Sequence, residues 1–318
     1  MIQDAPFYKA VRSLTFAEDA RAVLTEIAAT EWAALLERMD RSQITLPIGE
    51  RCRDFLPDTV VSRIDLNLAS NARRHERLLA EYRTVAQTLN QNSVPFVILK
   101  GLSHTAPSYI QDIRHRPQYD IDLYTPPEFI HPAREALSEA GFTPTATAQS
   151  RTDHLPPMIR DRNWTWRGDY YDLDLPLTVE IHFRLWDPAS ERVSAKYTER
   201  FWERRTKIDF CGLELPVLSP QDRVSYAALH LVRHLLRGDI RVYHVYELAH
   251  FLHYTREDDA LWLDWRRGHS NDEGILQAIA FRLAKEWFGC SIHPVAQEAV
   301  ARLPSAVARW FGLCRWGR

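Results

Sequence analysis

Tyr119-Asp120-Ile121-Asp122-Leu123 carries the strongest structural signal in this chain, because its residues alternate strictly between apolar and acidic. Successive side chains of a β-strand point to opposite faces, so one face is apolar and the other holds both carboxylates. Two like charges on one face repel each other, and strands contain few aspartates. We therefore expect a cation beside this strand, and carboxylate pairs suit Mg²⁺. The alternative is a strand whose acidic face simply meets water.

A second alternating stretch, 177–185, follows later in the chain and reads Leu-Thr-Val-Glu-Ile-His-Phe-Arg-Leu. Its polar face includes Glu180 and His182. If this strand pairs beside the first with the apolar faces on one side, Glu180 joins Asp120 and Asp122 on an exposed face. Three carboxylates can hold one or two metal ions and leave room for a triphosphate. A polar face that meets only water is the alternative for Glu180 and His182.

Upstream, Val94-Pro95-Phe96-Val97-Ile98-Leu99 is a nearly continuous apolar run, typical of a strand buried on both faces. It ends in Lys100-Gly101, where glycine permits a tight turn and a close approach of backbone amides to a ligand. A short helix that begins at Leu102 or Ser103 would direct free N–H groups at an anion. The order of these elements favours a phosphate-binding turn, and a glycine needed only for packing is the alternative.

In these residues the chain resembles the bacterial nucleotidyltransferase-like proteins of the polymerase β superfamily. The resemblance extends from a helix before residue 90 to the helices after residue 220. It rests on Ile98-Leu99-Lys100-Gly101, Tyr109, Arg116-Pro117, Asp120-Ile121-Asp122-Leu123 and Val179-Glu180-Ile181-His182.

By this resemblance, Gly101 lies in the phosphate-binding turn, Asp120 and Asp122 bind Mg²⁺, and Glu180 occupies the position of the third carboxylate. The more compact members carry Gly-Ser closer to the first aspartate than the nineteen residues that separate Gly101 from Asp120 here. Ser103, which Leu102 separates from the glycine, is the corresponding candidate phosphate ligand.

The predicted activity is metal-dependent nucleotidyl transfer, in which an acceptor hydroxyl or phosphate attacks the α-phosphorus of an NTP, such as ATP, and releases pyrophosphate. Mg²⁺ or Mn²⁺ on Asp120 and Asp122 would neutralise the triphosphate and align the leaving group. Glu180 would complete a second metal site or take the proton of the acceptor, and both roles stay open.

Further residues are candidates for binding the nucleotide. Lys100 and the amides around Gly101 would hold phosphate oxygens. His182 shares the polar face of its strand with Glu180. Arg116 is either a counter-charge for the phosphates or a loop arginine that fixes the turn by pairing with an acid.

Relatives in the superfamily modify antibiotics, peptides, proteins or tRNA ends, so the resemblance leaves the class of acceptor open. We favour a small molecule, a peptide or a protein as the acceptor. A net charge of −2 and a pI near 6.7 argue against a broad nucleic-acid-binding surface. A toxin-like transferase acting on a tRNA end remains an alternative. A non-catalytic module that binds a nucleotide or a partner is the other, although three clustered acids repel one another unless a cation offsets them.

The chain of 318 residues is predicted to be an α+β protein, with a small mixed β-sheet core flanked by helical regions. Its predicted domains are an N-terminal helical region at 1–90, a nucleotidyltransferase core at 91–218 and a C-terminal helical domain at 219–318. Apolar periodicity predicts helices over 17–39, 63–89, 126–140, 194–205, 220–237, 242–254, 274–288 and 295–311, with a loop around 47–57.

The alternating segment 163–171 predicts a further strand with Trp164 and Trp166 facing the core, and stacking on a base or an acceptor is the functional alternative. No apolar run approaches the roughly 18 residues that a membrane span needs, so no membrane-spanning helix is expected. Residues 1–6 do not resemble a signal peptide. Four scattered cysteines without C-x-x-C spacing predict reduced thiols in a cytoplasmic protein.

The helix at 220–237 carries a basic stripe that would face the triphosphate or the acceptor, and a solvated helix face is the alternative. The family resemblance supports a histidine on this helix, so His230 is a candidate site residue. His230 and His234 have the i, i+4 spacing of zinc ligands. The H-E-x-x-H pattern is absent, because Leu231 follows the first histidine, and this argues against zinc catalysis.

Overall fold

The fold is mixed α+β, as predicted, and the described residues form a seven-stranded sheet with helices before and after it in the chain. A computed structural model describes residues 5–105, 112–145, 152–160, 163–269 and 274–313. Tyr109, one of the residues that carry the family resemblance, lies outside these ranges. The α-helices of the described residues are α1 (Ala5–Ser13), α2 (Trp32–Arg41), α3 (Thr45–Cys52), α4 (Asp58–Gln91), α5 (Ile130–Glu139), α6 (Pro188–Glu191), α7 (Pro220–Arg237), α8 (Val242–Tyr254), α9 (Asp259–Arg267), α10 (Ile275–Phe288), α11 (Pro294–Ala301) and α12 (Ser305–Leu313).

The observed helices differ from the predicted ones in their bounds and, in places, in being 3-10 helices instead of α-helices. The segment predicted over 194–205 forms only a 3-10 helix, and α3 lies where a loop was expected around Pro47. Pro47 is the third residue of α3, where the backbone N–H that proline lacks has no partner within a helix. The 3-10 helices cover Glu18–Glu26, Ala29–Glu31, Arg53–Phe55, Gly101–Thr105, Ile113–His115, Pro127–Phe129 and Lys196–Phe201.

A search of the described residues found no helix with both the length and the apolar character that a bilayer crossing requires.

The strands form one mixed sheet. They are β1 (Val97–Ile98), β2 (Asp120–Tyr124), β3 (Thr143–Pro144), β4 (Met158–Ile159), β5 (Thr178–His182), β6 (Thr206–Phe210) and β7 (Leu213–Val217). Their order across the sheet is β3-β4-β5-β2-β1-β7-β6. The pairs β2–β5 and β1–β7 are parallel, and the remaining neighbours are antiparallel.

The two alternating stretches pair as predicted, because β2 and β5 lie side by side in parallel. Asp120 is opposite Thr178, and Asp122 is opposite Glu180. The apolar faces of both strands are buried in a core with side chains of α4 and α5. Burial of one large aliphatic side chain contributes about 1.5–3 kcal/mol, so this core opposes any slip of the two strands. The fully buried residues of the two strands are Ile121, Leu123, Val179 and Ile181.

The chain divides into two compact units. One comprises Met1–Leu66 and Ala227–Arg318, and its described residues contain helices but no strand of the sheet. The other comprises Asn67–Tyr226 and contains the whole sheet. The three domains expected from the sequence, with boundaries after residues 90 and 218, stay a prediction.

The segment 163–171 forms no strand in its described residues. Trp164 donates from its indole N–H to Asp172 Oδ2 over 3.0 Å, whereas Trp166 is 52% exposed. The prediction of a strand with both indoles in the core is therefore wrong. Carboxylates of Asp169 and Asp172 accept backbone N–H groups two residues further on, and such local bonds compete with a strand ladder.

Candidate functional site

The polar faces of β2 and β5 bring distant side chains together, because the two strands run parallel and in register. Each of Asp122, Glu180 and His182 offers a ligand atom, and the three atoms lie within 4.8 Å of one another. His182 Nε2 lies 3.1 Å from Asp122 Oδ1 and 3.8 Å from Glu180 Oε2. We call Asp122, Glu180 and His182 the acidic cluster.

Asp120 does not belong to the acidic cluster. It lies two residues before Asp122 on the same face of β2 and is partly exposed. Its carboxylate contributes negative charge at Lys100. Its role as a metal ligand stays a prediction.

Lys100 is the cation that the acidic strand leads one to expect. It follows β1, and the antiparallel pairing of β1 with β2 places Leu99 N–H on the carbonyl of Asp122. The ammonium then reaches the side chain, with Lys100 Nζ 2.8 Å from Asp122 Oδ1. The sequence predicts a cation beside this strand and phosphate binding for Lys100, but it does not indicate that Lys100 is that cation.

The ion pair is largely removed from water, since the Asp122 side chain is only 1% exposed. The expectation of an exposed acidic face is therefore wrong at Asp122. Burial alone would raise the pKa of Asp122, but Lys100 and His182 outweigh burial and hold it well below its usual range. Burial likewise would lower the pKa of Lys100, and the nearby carboxylates, Asp122 foremost, hold it above its ordinary value.

His182 orients Asp122. Burial lowers the pKa of His182 despite the adjacent carboxylate, so the imidazole is neutral near pH 7 and its Nε2–H donates to Asp122 Oδ1. Its Nδ1 is buried and has no hydrogen-bond partner among the described residues. His154 pairs with His182 through an isolated β-bridge, and the two ring centroids are 4.9 Å apart.

Gly101 is required by packing. Its φ of +64° lies in the left-handed region, which residues with a side chain rarely adopt. A Cβ atom at this position would lie 2.1 Å from Gln118 Nε2 and 2.6 Å from the Tyr82 hydroxyl. These contacts account for the glycine without a ligand, so its role in phosphate binding stays a prediction.

A buried hydrogen-bond network at the start of β2 was not predicted. Gln118 Nε2 donates to the Tyr82 hydroxyl and to the carbonyl of Asp120, both over 2.7 Å. Arg116 Nη1 donates to Gln118 Oε1 over 3.3 Å, and Arg74 donates to the Gln118 carbonyl. The one sequence pattern that points to Gln118 is the alternation of β2: Gln118 lies two residues before Asp120, so it continues the polar face of that strand. The contact of Arg116 is with an amide oxygen, and both roles expected of it, a counter-charge for the phosphates and pairing with an acid, stay predictions.

Ser103 is fully buried. Its carbonyl accepts a hydrogen bond of 2.6 Å from Arg223 Nη1, and its hydroxyl has no hydrogen-bond partner within the described part of the chain. The hydroxyl does not meet solvent in this arrangement, so phosphate binding by Ser103 stays a prediction. His230 belongs to the unit that comprises Met1–Leu66 and Ala227–Arg318, which we call the helical unit. Its contact with the nucleotide likewise stays a prediction.

Comparison with known proteins tests whether the chain belongs to the family that its sequence resembles. A search of curated proteins returned no significant match. The profile of a family described as uncharacterised nucleotidyltransferase matches residues 28–289, which include the Lys-Gly turn and both acidic strands. This match confirms the family resemblance. On this basis, the chain belongs to the family of uncharacterised nucleotidyltransferases.

Proposed function

We propose that the protein is a Mg²⁺-dependent nucleotidyltransferase that moves an NMP group from an NTP to a hydroxyl or phosphate of an acceptor and releases pyrophosphate. The acceptor is a small molecule, a peptide or a protein. Family membership supports nucleotidyl transfer in general. The observation that carries the proposal is the convergence of Asp122 and Glu180 from two parallel strands that lie in register.

The donor atoms of the acidic cluster suit a hard divalent cation. Asp122 and Glu180 offer carboxylate oxygens, and Asp120 adds a third carboxylate on the same strand face. Mg²⁺ in proteins usually takes one or two carboxylates together with phosphate oxygens and water. His182 would act by orienting Asp122, because Mg²⁺ prefers oxygen ligands. A bound Mg²⁺ or Mn²⁺ ion supplies charge neutralisation of the triphosphate.

Lys100 and Glu180 have separate roles in this proposal. Lys100 balances the charge of Asp122 before substrate binds, and it becomes available to phosphate oxygens once the carboxylates have another cation. The Glu180 side chain is 24% exposed, against 1% for Asp122 and 4% for His182. Glu180 is therefore the member of the acidic cluster that an acceptor can reach, and it is the candidate for taking the acceptor's proton.

The Lys100–Asp122 ion pair favours one competing function. Since an ammonium already offsets the charge of Asp122, the clustering of acids does not by itself require a metal. A non-catalytic module that binds a nucleotide or a partner is compatible with the same contacts.

The toxin-like transferase differs from our proposal only in its acceptor, a tRNA end. Because the reaction consumes NTPs, we place it in the cytoplasm.

Label transfer tests the proposal. The full-length protein is incubated with each α-³²P-labelled NTP, Mg²⁺ or Mn²⁺ and an extract of the source cells, and labelled product and pyrophosphate are measured. Asp122→Asn and Glu180→Gln should each lower transfer at least about a hundredfold, because each removes a carboxylate that stabilises the transition state. Glu135→Gln, which alters an exposed carboxylate of α5, is the matched control and should transfer normally.

The outcomes separate the competing functions. Metal-dependent NTP binding without pyrophosphate release, across a broad set of acceptors, would support the binding module. Loss of labelled product after ribonuclease treatment of the extract would identify an RNA acceptor. Normal transfer by the Glu180→Gln variant would refute the role given to Glu180.

A further inference from the structure

Three histidines of the helical unit direct ring nitrogens at one another. His230 and His234 lie one turn apart on α7, and His244 lies in the first turn of α8. A ring nitrogen of each lies within 4.8 Å of those of the other two. The ring centroids are separated by 4.5, 4.9 and 5.0 Å. We call these residues the histidine cluster.

The spacing of two of these nitrogens matches that of ligands on a shared ion. Zinc–nitrogen bonds of about 2.0–2.1 Å at tetrahedral angles place two ligating nitrogens roughly 3.3 Å apart. His230 Nε2 and His234 Nε2 are 3.2 Å apart. A single proton shared between these two atoms would also give this distance, whereas a cation would also attract the third ring nitrogen, which lies within 4.8 Å of both. A cation at the centre accounts for all three.

Asp239 prepares His234 for this role. His234 Nδ1–H donates to Asp239 Oδ1 over 2.9 Å, which leaves the lone pair of Nε2 directed at the other histidines. A carboxylate that accepts the second ring N–H of a histidine is the usual support of a metal-ligating imidazole, because it fixes both the tautomer and the ring orientation.

From this geometry we propose that His230, His234 and His244 bind a transition-metal ion of the zinc class. Neutral imidazoles suit Zn²⁺, Ni²⁺ or Cu²⁺, whereas Mg²⁺ prefers oxygen ligands. All three side chains are partly exposed, so the ion has access from solvent and water can complete its coordination. The ion would join α7 to α8. This inference does not rest on the proposed nucleotidyl transfer, and it concerns metal binding, not zinc catalysis.

Zinc titration of the full-length protein, prepared without a histidine tag and stripped with a chelator, tests the inference. Calorimetry and elemental analysis give the affinity and the number of ions bound. His244→Gln should lose one zinc equivalent relative to the wild type. Asp239→Asn should weaken that site about 10–100-fold. His131→Gln, at an exposed histidine of α5, is the matched control and should bind as the wild type does.

Two further measurements keep the result unambiguous. Asp122→Asn should retain the zinc equivalent that His244→Gln loses, which separates the histidine cluster from the acidic cluster. Asp239 is 57% exposed, so Asp239→Asn tests the site even if the His244→Gln variant fails to fold. Equal zinc binding by the wild type, His244→Gln and Asp239→Asn would overturn the inference.

Discussion

The acidic cluster and the histidine cluster each gather three ligand atoms within 4.8 Å, yet they are built differently. The acidic cluster joins residues sixty positions apart through the register of two parallel strands. The histidine cluster joins one turn of a helix to the start of the next helix. Strand register is a long-range property, whereas helix spacing is local, so only the first cluster depends on the correct order of strands in a sheet.

The two clusters also differ in charge. Asp122 is buried against the ammonium of Lys100, so the acidic cluster has a positive charge directly beside it. The histidine cluster consists of partly exposed imidazoles, and its carboxylate partner Asp239 is largely exposed. Loss of one member should therefore affect folding at the acidic cluster and mainly ligand binding at the histidine cluster.

The largest effect is expected from Asp122→Asn, which leaves the ammonium of Lys100 without its nearest counter-charge. Breaking a buried pair from one side typically costs about 3 kcal/mol or more, and we expect a loss of about 3 kcal/mol in the free energy of unfolding. Urea denaturation checks this value. The double variant Lys100→Met/Asp122→Asn should recover part of the loss.

His244→Gln is the matched comparison at the other cluster. Measured in chelator, it should change the free energy of unfolding by less than about 1 kcal/mol, because its side chain is partly exposed. Equal losses for Asp122→Asn and His244→Gln would remove the electrostatic distinction between the two clusters.

Ligands should stabilise the two clusters in a crossed pattern. Mg²⁺–NTP should raise the melting temperature of the wild type and of His244→Gln but not of Asp122→Asn. Zinc should stabilise the wild type and Asp122→Asn but not His244→Gln. A ligand at a hundred times its Kd contributes about 2.7 kcal/mol, a shift of several degrees in a thermal melt. Stabilisation of every variant by both ligands would contradict this assignment.

Two glycines separate backbone strain from steric clash. Gly101, beside the acidic cluster, and Gly238, between α7 and α8, both have positive φ values. Replacement by alanine should cost each about 1 kcal/mol in strain. Among the described residues, a new Cβ meets other atoms at Gly101 but not at Gly238, so Gly101→Ala should lose about 2 kcal/mol more than Gly238→Ala in urea denaturation. Equal losses would show that the Gln118–Tyr82 packing yields.

The smallest effect is expected from Ser103→Ala. Its hydroxyl is buried without a hydrogen-bond partner among the described residues, so its removal should change the free energy of unfolding by less than about 1 kcal/mol. The Kd for Mg²⁺–NTP, measured by calorimetry, should not change. A tenfold weaker Kd would show that the turn rearranges and that Ser103 contacts a phosphate after all.

Local periodicity explains which structural predictions succeed. The helices α7 and α8 have the predicted bounds, and alternation identifies the faces of β2 and β5. The Lys100–Asp122 ion pair was not predictable in this way, because it depends on the antiparallel pairing of β1 with β2.

Other features depend on contacts that the periodicity of a single segment does not reveal. The role of Gly101 depends on the side chains of Gln118 and Tyr82, which come from other parts of the chain. His244 was missed because it joins the i, i+4 pair from the next helix. The segment 163–171 alternates like a strand, but Asp169 within it and Asp172 just after it accept hydrogen bonds from the local backbone instead.

The parallel register of β2 and β5 also determines which changes in chain length the protein tolerates. Strand side chains alternate with a period of two, so inserting or deleting one residue within either five-residue strand would turn a carboxylate into the core and an isoleucine or leucine out of it. The long excursion between the strands has no such restriction, because loop closure depends only weakly on length. Among homologous chains, we expect gaps to accumulate between the two strands and to be absent within them.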